Sequence, residues 1–231
     1  MLQASASLPE VARKPAPWDL TGSGWMVALK APAGSPSRDA FLPGSLAGQG
    51  RGAISYLMYV DYAESACGPY RELLFIPGAF PFADGGRHLT ISRILVSTWD
   101  SVVNGRLNWG IPKDRADFEV AAAVAGGRED RIRVISDGRE LCDLRFASVP
   151  FMPSLPVSSA LVPERYLTLA QRFEGRDYLY TPQASGRVRP GRLVSWRFDA
   201  PLFPDLAAAS VLAVFKVERV RMRCPLARIS G

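Results

Sequence analysis

The segment Asn104 to Val120, NGRLNWGIPKDRADFEV, places a lysine directly after Trp109, Gly110, Ile111 and Pro112. Of the chain's 28 basic residues only four are lysines, Lys14, Lys30, Lys113 and Lys216, so arginine is its usual surface cation and Lys113 stands apart. A neutral lysine amine attacks a ketone to give an iminium, which draws electrons from the neighbouring carbon and opens the way to CO2 loss, carbon–carbon cleavage or elimination of water. An ordinary lysine, with a pKa of about 10.4, is almost wholly protonated at pH 7 and has no lone pair to attack with. Apolar surroundings disfavour the charged form. Trp109, Ile111 and Pro112 supply apolar bulk immediately before Lys113, and Pro112 also fixes a backbone dihedral there. The plainer reading is an exposed lysine whose stem lies along apolar surface. Lys216, in VLAVFKVERV, is the other lysine that interrupts an apolar strand, but it has no supporting motif.

Other chemistries are poorly provided for. The single histidine, His88, follows a turn at Asp84–Arg87 and opens an apparent strand, so a structural or surface role is expected. Any Ser-His-Asp arrangement would have to run through it. Cys67, Cys142 and Cys224 are odd in number and far apart, with no CxxC spacing, and read as reduced thiols rather than metal ligands. The net charge of +6 comes from arginines scattered singly among acids, as in GGREDRIRV and SGRVRPGR. That pattern argues against a nucleic-acid partner and suits attraction of small anions towards a pocket. No apolar run approaches the roughly 18 residues of a spanning helix, and Met1–Glu10 lacks a basic stretch followed by an apolar one. The expectation is a cytoplasmic protein with no membrane partner.

The elements that must position Lys113 read as mainly β. GWMVALK, GAISYLMYVDY, YRELLFIPG, RHLTISRILVS, ADFEVAAAVAG, DRIRVIS, ELCDLRFASV, RLVSWRFD and SVLAVFKVERVRM carry β character. Many of them alternate apolar with polar residues between Gly, Pro, Asp and Ser turns, as half-buried strands do. The expected fold is an antiparallel sheet or barrel with a few short helices. STWDSVVNGR predicts one helix of about two turns, capped by Ser97 or Thr98, with Asp100 in its first turn and Gly105 as its stop. It delivers the chain into the lysine segment. ALVPERYLTLAQRF is a candidate second helix after a proline-rich connector. Residues 1–20 read as a flexible, Pro-rich lead, and residues 21–231 as a single domain, since no internal repeat or linker divides them.

GRLNWGIPKDRADFEV, preceded some thirty residues earlier by GPYRELLFIPG, resembles the acetoacetate decarboxylase family, in which Gly-Arg is followed six positions later by Pro-Lys-Lys. The resemblance is firm over about Ala53 to Val120. It implies an antiparallel β-barrel or cone-like assembly of sheets, commonly homo-oligomeric, using neither metal nor dissociable organic cofactor. It places the Schiff-base lysine on Lys113 and a catalytic glutamate on Glu72. Arg106 or Arg115 would bind the carboxylate of an oxo-acid substrate, with Tyr70 and Trp109 beside it. Each has a structural reading too: Glu72 on the polar face of a strand, Arg106 capping the end of the short helix, Tyr70 and Trp109 as core or pocket wall.

One departure matters. The family's second lysine is replaced by Asp114, and acetoacetate decarboxylase is itself a known instance of a lysine activated by desolvation or a neighbouring cation. If Lys113–Arg115 are extended, Asp114 projects to the opposite face and Arg115 shares the face of Lys113, where it would restore a positive charge. The implied function is a carbon–carbon lyase acting by a lysine Schiff base on a small or medium β-keto acid or related oxo-carboxylate. Aldolase or dehydratase chemistry begins from the same iminium. The alternative is a small-molecule-binding protein of the same fold without catalysis.

Overall fold

The computed structural model of the chain describes residues 8–31, 35–52, 54–123 and 129–231. Its first half runs β1 (Trp18–Lys30), β2 (Ser55–Glu64), β3 (Tyr70–Ile76), β4 (Gly78–Pro81), β5 (Arg87–Thr90), β6 (Arg93–Val96) and helix α1 (Trp99–Trp109). There follow β7 (Lys113–Arg115), β8 (Asp117–Ala121), β9 (Asp130–Ser136), β10 (Arg139–Ser148) and β11 (Leu155–Ser158). The chain closes with β12 (Leu169–Phe173), β13 (Arg176–Tyr180), β14 (Gln183–Phe198), β15 (Ser210–Cys224) and β16 (Arg228–Ser230).

Eleven strands form one sheet in the order β7-β6-β3-β2-β1-β15-β14-β10-β9-β8, with β11 against β14. Leu57, Leu73, Phe75 and Leu95, near one end of that order, share a core with Ile132, Val134, Leu144 and Phe146 near the other. The sheet has therefore rolled on itself into a barrel-like form. Side chains alternate along a strand, so the opposite faces of β2, β3 and β6 point outwards, yet they are also buried. Val60, Tyr62, Tyr70, Leu74, Ile76, Ile94 and Val96 form a second core with Val102 and Trp109 of α1 and with Tyr178 and Tyr180 of β13. β13 belongs to a separate five-stranded sheet, β16-β13-β12-β5-β4. Burial on both faces explains why Leu73–Ile76 is a continuous apolar run instead of alternating.

The expected antiparallel β architecture holds with two exceptions, since β6 pairs with β7 and β5 with β12 in parallel. ALVPERYLTLAQRF is not a helix. It makes two 3-10 turns, Ser159–Leu161 and Glu164–Tyr166, and then enters β12. Its proline and β-branched residues give the pattern no helical continuity.

Helix α1 runs a turn further than expected. The Thr98 side chain accepts from the Ser101 backbone N–H, Asp100 lies in the first turn, and Gly110, at φ 61°, ends the helix in the left-handed conformation. Gly105 is thus interior rather than terminal. Of the N-terminal lead, residues 1–7 lie outside the described residues. From Ala12 it is fastened to α1: Asn104 donates to the Ala12 carbonyl and accepts from the Lys14 N–H, and Asn108 donates to the Lys14 carbonyl. Trp18 then opens β1.

Candidate active site

Lys113 stands at the start of β7, a three-residue strand beside β6, where Ile94 pairs with Lys113 and Leu95 with Asp114. Its side chain runs back beneath α1 and is only 3% exposed. Gly105 makes this passage possible: a Cβ there would lie 2.7 Å from Lys113 Cδ and 2.9 Å from Cε. A glycine in a helix interior costs about 1 kcal/mol relative to alanine, and here that cost makes room for the lysine stem.

The amine meets three groups. Lys113 Nζ lies 2.8 Å from Glu72 Oε2, 3.0 Å from Ser101 Oγ and 5.1 Å from the centre of the Tyr70 ring. Glu72 comes from the outward face of β3, and Ser101 and Gly105 share one face of α1. A cavity of about 120 Å³ opens at this pair, walled chiefly by Trp18, Met58, Val60, Leu74, Ile94 and Met222. Among its described lining residues Lys113 is the one cation and Glu72 the one carboxylate. A wider cleft of about 610 Å³ adjoins it, sharing Leu20, Pro182 and Met222.

The remaining polar lining groups are weak acids held in their protonated forms. Burial is the main reason that Tyr62, Tyr70 and Tyr180 titrate well above the ordinary tyrosine value, with Glu72 adding to the effect at Tyr62 and Tyr70 and Cys224 at Tyr180. The Cys224 thiol is pushed up to about 12 by burial and then by Glu72. All four are hydrogen-bond donors at neutral pH.

The expected residues divide. Lys113, Glu72, Tyr70 and Trp109 all line the cavity. Trp109 does so from a fixed position, donating to the Pro225 carbonyl and meeting Trp18 edge to face. Arg106 and Arg115, the expected carboxylate binders, are not among its lining residues. Arg106 donates through Nε and Nη2 to the Lys113 carbonyl at 2.9 and 2.7 Å, and through Nη2 to Asp114 Oδ1 at 2.8 Å. It clamps the lysine's own backbone. Arg115 turns back to the Ala116 carbonyl and to Asp117, 2.7 Å away.

Asp114 projects away from the amine, as the strand alternation requires, and is held between Arg106 and Arg93. Arg93 is buried and also donates to the Leu202 carbonyl. The carboxylate that replaces the second lysine is therefore matched by two guanidinium groups of its own. Lys216 pairs with Asp130 at 2.9 Å and lies outside the cavity, while His88, on β5, bonds Asp84 in the preceding turn. The three cysteines are free.

Sequence reasoning missed Ser101, Arg93, Tyr62, Tyr180 and Cys224. Ser101 was within reach, because it stands four residues before Gly105 and so on the same helix face. Tyr62 was too, through its register opposite Tyr70 in the β2–β3 hairpin. Nothing local marks Arg93, Tyr180 or Cys224.

Substituting Gly105 by alanine tests the passage beneath α1. The expected outcome is a stability change within about 1 kcal/mol, helix propensity offsetting the contact. The rate at which Lys113 is modified by carbonyl compounds falls roughly tenfold or more, because a displacement on the order of 1 Å is costly in an oriented site. Undiminished modification of G105A would show that the lysine does not depend on this gap.

No family model matches the chain, and no curated protein matches it in sequence. Solved structures do match in shape. The chain is similar to an acetoacetate decarboxylase-like enzyme from Sphingomonas wittichii, at a TM-score of 0.69 and 14% identity over 99% of this chain and 98% of that one. It is similar to acetoacetate decarboxylase from Legionella pneumophila, at 0.67 and 11% over 100% and 94%. It is also similar to the enduracididine biosynthesis enzyme MppR complexed with pyruvate, at 0.64 and 15% over 99% and 95%. At these identities the likeness concerns the fold.

Proposed function

With an acetoacetate decarboxylase-like fold as premise, we propose that this chain is a carbon–carbon lyase in which Lys113 forms a Schiff base with a small or medium β-keto acid or related oxo-carboxylate. The observation that carries the reading is the enclosed pair, Lys113 Nζ at 2.8 Å from Glu72 Oε2, at the wall of an apolar cavity. A buried ion pair is weak support for stability, whereas a nucleophile within reach of a base, with Ser101 orienting it, is the arrangement that covalent catalysis requires.

Those distances support the following chemistry. Glu72 takes a proton from Nζ, and the freed amine attacks the substrate's carbonyl carbon. The carbinolamine loses its oxygen as water, using the proton held by Glu72, and an iminium remains. In a β-keto acid the electron pair of the bond to the carboxylate then moves into the iminium, giving CO2 and an enamine. A carboxylate and an iminium become two neutral species, a change favoured where apolar walls replace water. Glu72 relays a solvent proton to the enamine carbon, and hydrolysis releases the ketone and the lysine. One solvent proton is consumed overall. Aldolase or dehydratase chemistry would use the same iminium, with Glu72 serving as base towards the substrate. The accompanying reading of assembly and compartment is a cytoplasmic homo-oligomer, which sedimentation and cell fractionation check.

The test is borohydride trapping with acetoacetate and a panel of longer oxo acids, followed by intact-mass analysis. The expected result is a covalent adduct on the native chain that is absent from Lys113→Ala, with a mass that reports whether CO2 has left. An adduct that persists in the mutant would place the reactive amine elsewhere, and none with any compound would favour a binding protein; either outcome sinks the reading.

A further inference from the structure

Two of the polar groups that line the cavity and that the proposed chemistry does not use stand on different sheets. Tyr62, on the outward face of β2, and Tyr180, at the end of β13, are 2% and 4% exposed. Both line the cavity that holds Lys113 and Glu72. No hydrogen bond joins either hydroxyl to another described residue. Tyr180 is braced through its ring beside Trp109, and Tyr62 beside Tyr70. Both rings are therefore packed at the cavity wall, and no described residue engages their hydroxyls. Two preoriented donors at the wall of an apolar cavity are half of a binding site for oxygen.

We propose that the Tyr62 and Tyr180 hydroxyls receive the substrate's carboxylate, in place of the guanidinium expected from Arg106 or Arg115. This rests on the Schiff-base reading and names the selecting residues within it. Arg106 is committed to the Lys113 carbonyl and Asp114, and Arg115 to Asp117. Lys113, the one lining cation among the described residues, is committed to the substrate's carbonyl.

Neutral donors also suit the reaction better than a cation. A guanidinium would stabilise the carboxylate most before it leaves, and so would lower the ground state more than the transition state. Phenols orient the group while leaving its charge poorly neutralised. Breaking the carbon–carbon bond sends the electron pair to the iminium and releases the carboxylate as CO2, which has no charge for the hydroxyls to hold. The substrate class selected is a β-keto acid with an otherwise apolar chain.

Full-length protein is compared with Tyr62→Phe and Tyr180→Phe, each of which deletes one oxygen and keeps the ring. Binding of 3-hydroxybutyrate, which has the carboxylate but no carbonyl, is measured by calorimetry. Borohydride trapping is measured separately with acetoacetate and with acetone. The affinity for 3-hydroxybutyrate, and the preference for acetoacetate over acetone in trapping, are each expected to fall roughly tenfold or more per hydroxyl, the scale of a hydrogen bond to a charged group lost from an apolar site. The melting temperature of either variant should stay level or rise, because the hydroxyl removed has no protein partner.

Wild-type affinity retained in both variants, or no wild-type binding of 3-hydroxybutyrate, overturns the proposal even where Lys113 is still trapped by acetone. Hydroxyl-dependent binding without any trapped adduct would keep the carboxylate site and defeat the Schiff-base reading instead.

Discussion

Glu72→Leu alone is expected to destabilise the folded chain by about 3–5 kcal/mol, whereas the double variant Glu72→Leu/Lys113→Met recovers most of that loss. The pair is almost fully enclosed, with side chains 7% and 4% exposed. Removing the carboxylate leaves an ammonium facing Ser101, the Tyr70 ring and an apolar wall. That uncompensated buried charge is the source of the expected loss. Urea unfolding of the two single variants and the double one closes a thermodynamic cycle. A coupling below about 1 kcal/mol would mean that the pair behaves as an exposed one, and the enclosed amine on which the proposed chemistry depends would be lost with it. Adduct formation by Glu72→Leu should also fall roughly 100-fold or more, the range for a missing acid–base group.

The half of the site that was legible in the sequence is the half built from contiguous residues. Pro112-Lys113 and the strand Tyr70–Ile76 could be read because local pattern places them: the apolar run before the lysine marks its burial, and period-two alternation fixes which face Glu72 shares with Tyr70 and Leu74. The alternation also sends Asp114 away from the amine. It failed one residue later, at Arg115, since Asp117 captures the guanidinium and an ion pair of that kind overrides the direction that a three-residue strand suggests. Arg106 was only half legible. At the end of a helix a cation is expected near free carbonyls, but the carbonyl that it meets belongs to Lys113, seven residues on.

Tertiary causes were the least visible. Gly105 looks like a helix stop because glycine weakens a helix interior, and what keeps it there is a lysine stem from another element. The barrel was readable from its turn-punctuated strands. The smaller sheet was not, since β12 joins β5 through a parallel contact between Leu169 and Leu89, eighty residues apart. Tyr180 reaches the cavity only by way of that sheet.

Asp114→Lys, which supplies the second lysine of the acetoacetate decarboxylase motif that this segment resembles, is expected to lose stability by about 3 kcal/mol or more and to gain no reactivity at Lys113. A motif comparison alone suggests the opposite, that a cation beside the nucleophile would activate it. The geometry decides against this. The Asp114 side chain lies on the far side of β7 from the amine, 14% exposed, between Arg93 and Arg106. A lysine there would confront two guanidinium groups with no counter-charge, and removing one member of a buried ionic cluster costs about 3–5 kcal/mol before any repulsion is added. Arg106 would be driven off, and with it the two hydrogen bonds that hold the Lys113 carbonyl. The nucleophile would be loosened rather than activated. Asp114→Asn separates the two effects: it keeps the shape and an acceptor for one arginine, so it should lose less stability than Asp114→Lys and retain more trapping by acetoacetate. Unfolding curves and borohydride adduct yields on both variants provide the check. A faster-trapping Asp114→Lys would show that charge reaches the amine across the strand, and that Asp114 tunes reactivity directly instead of anchoring the segment that holds it.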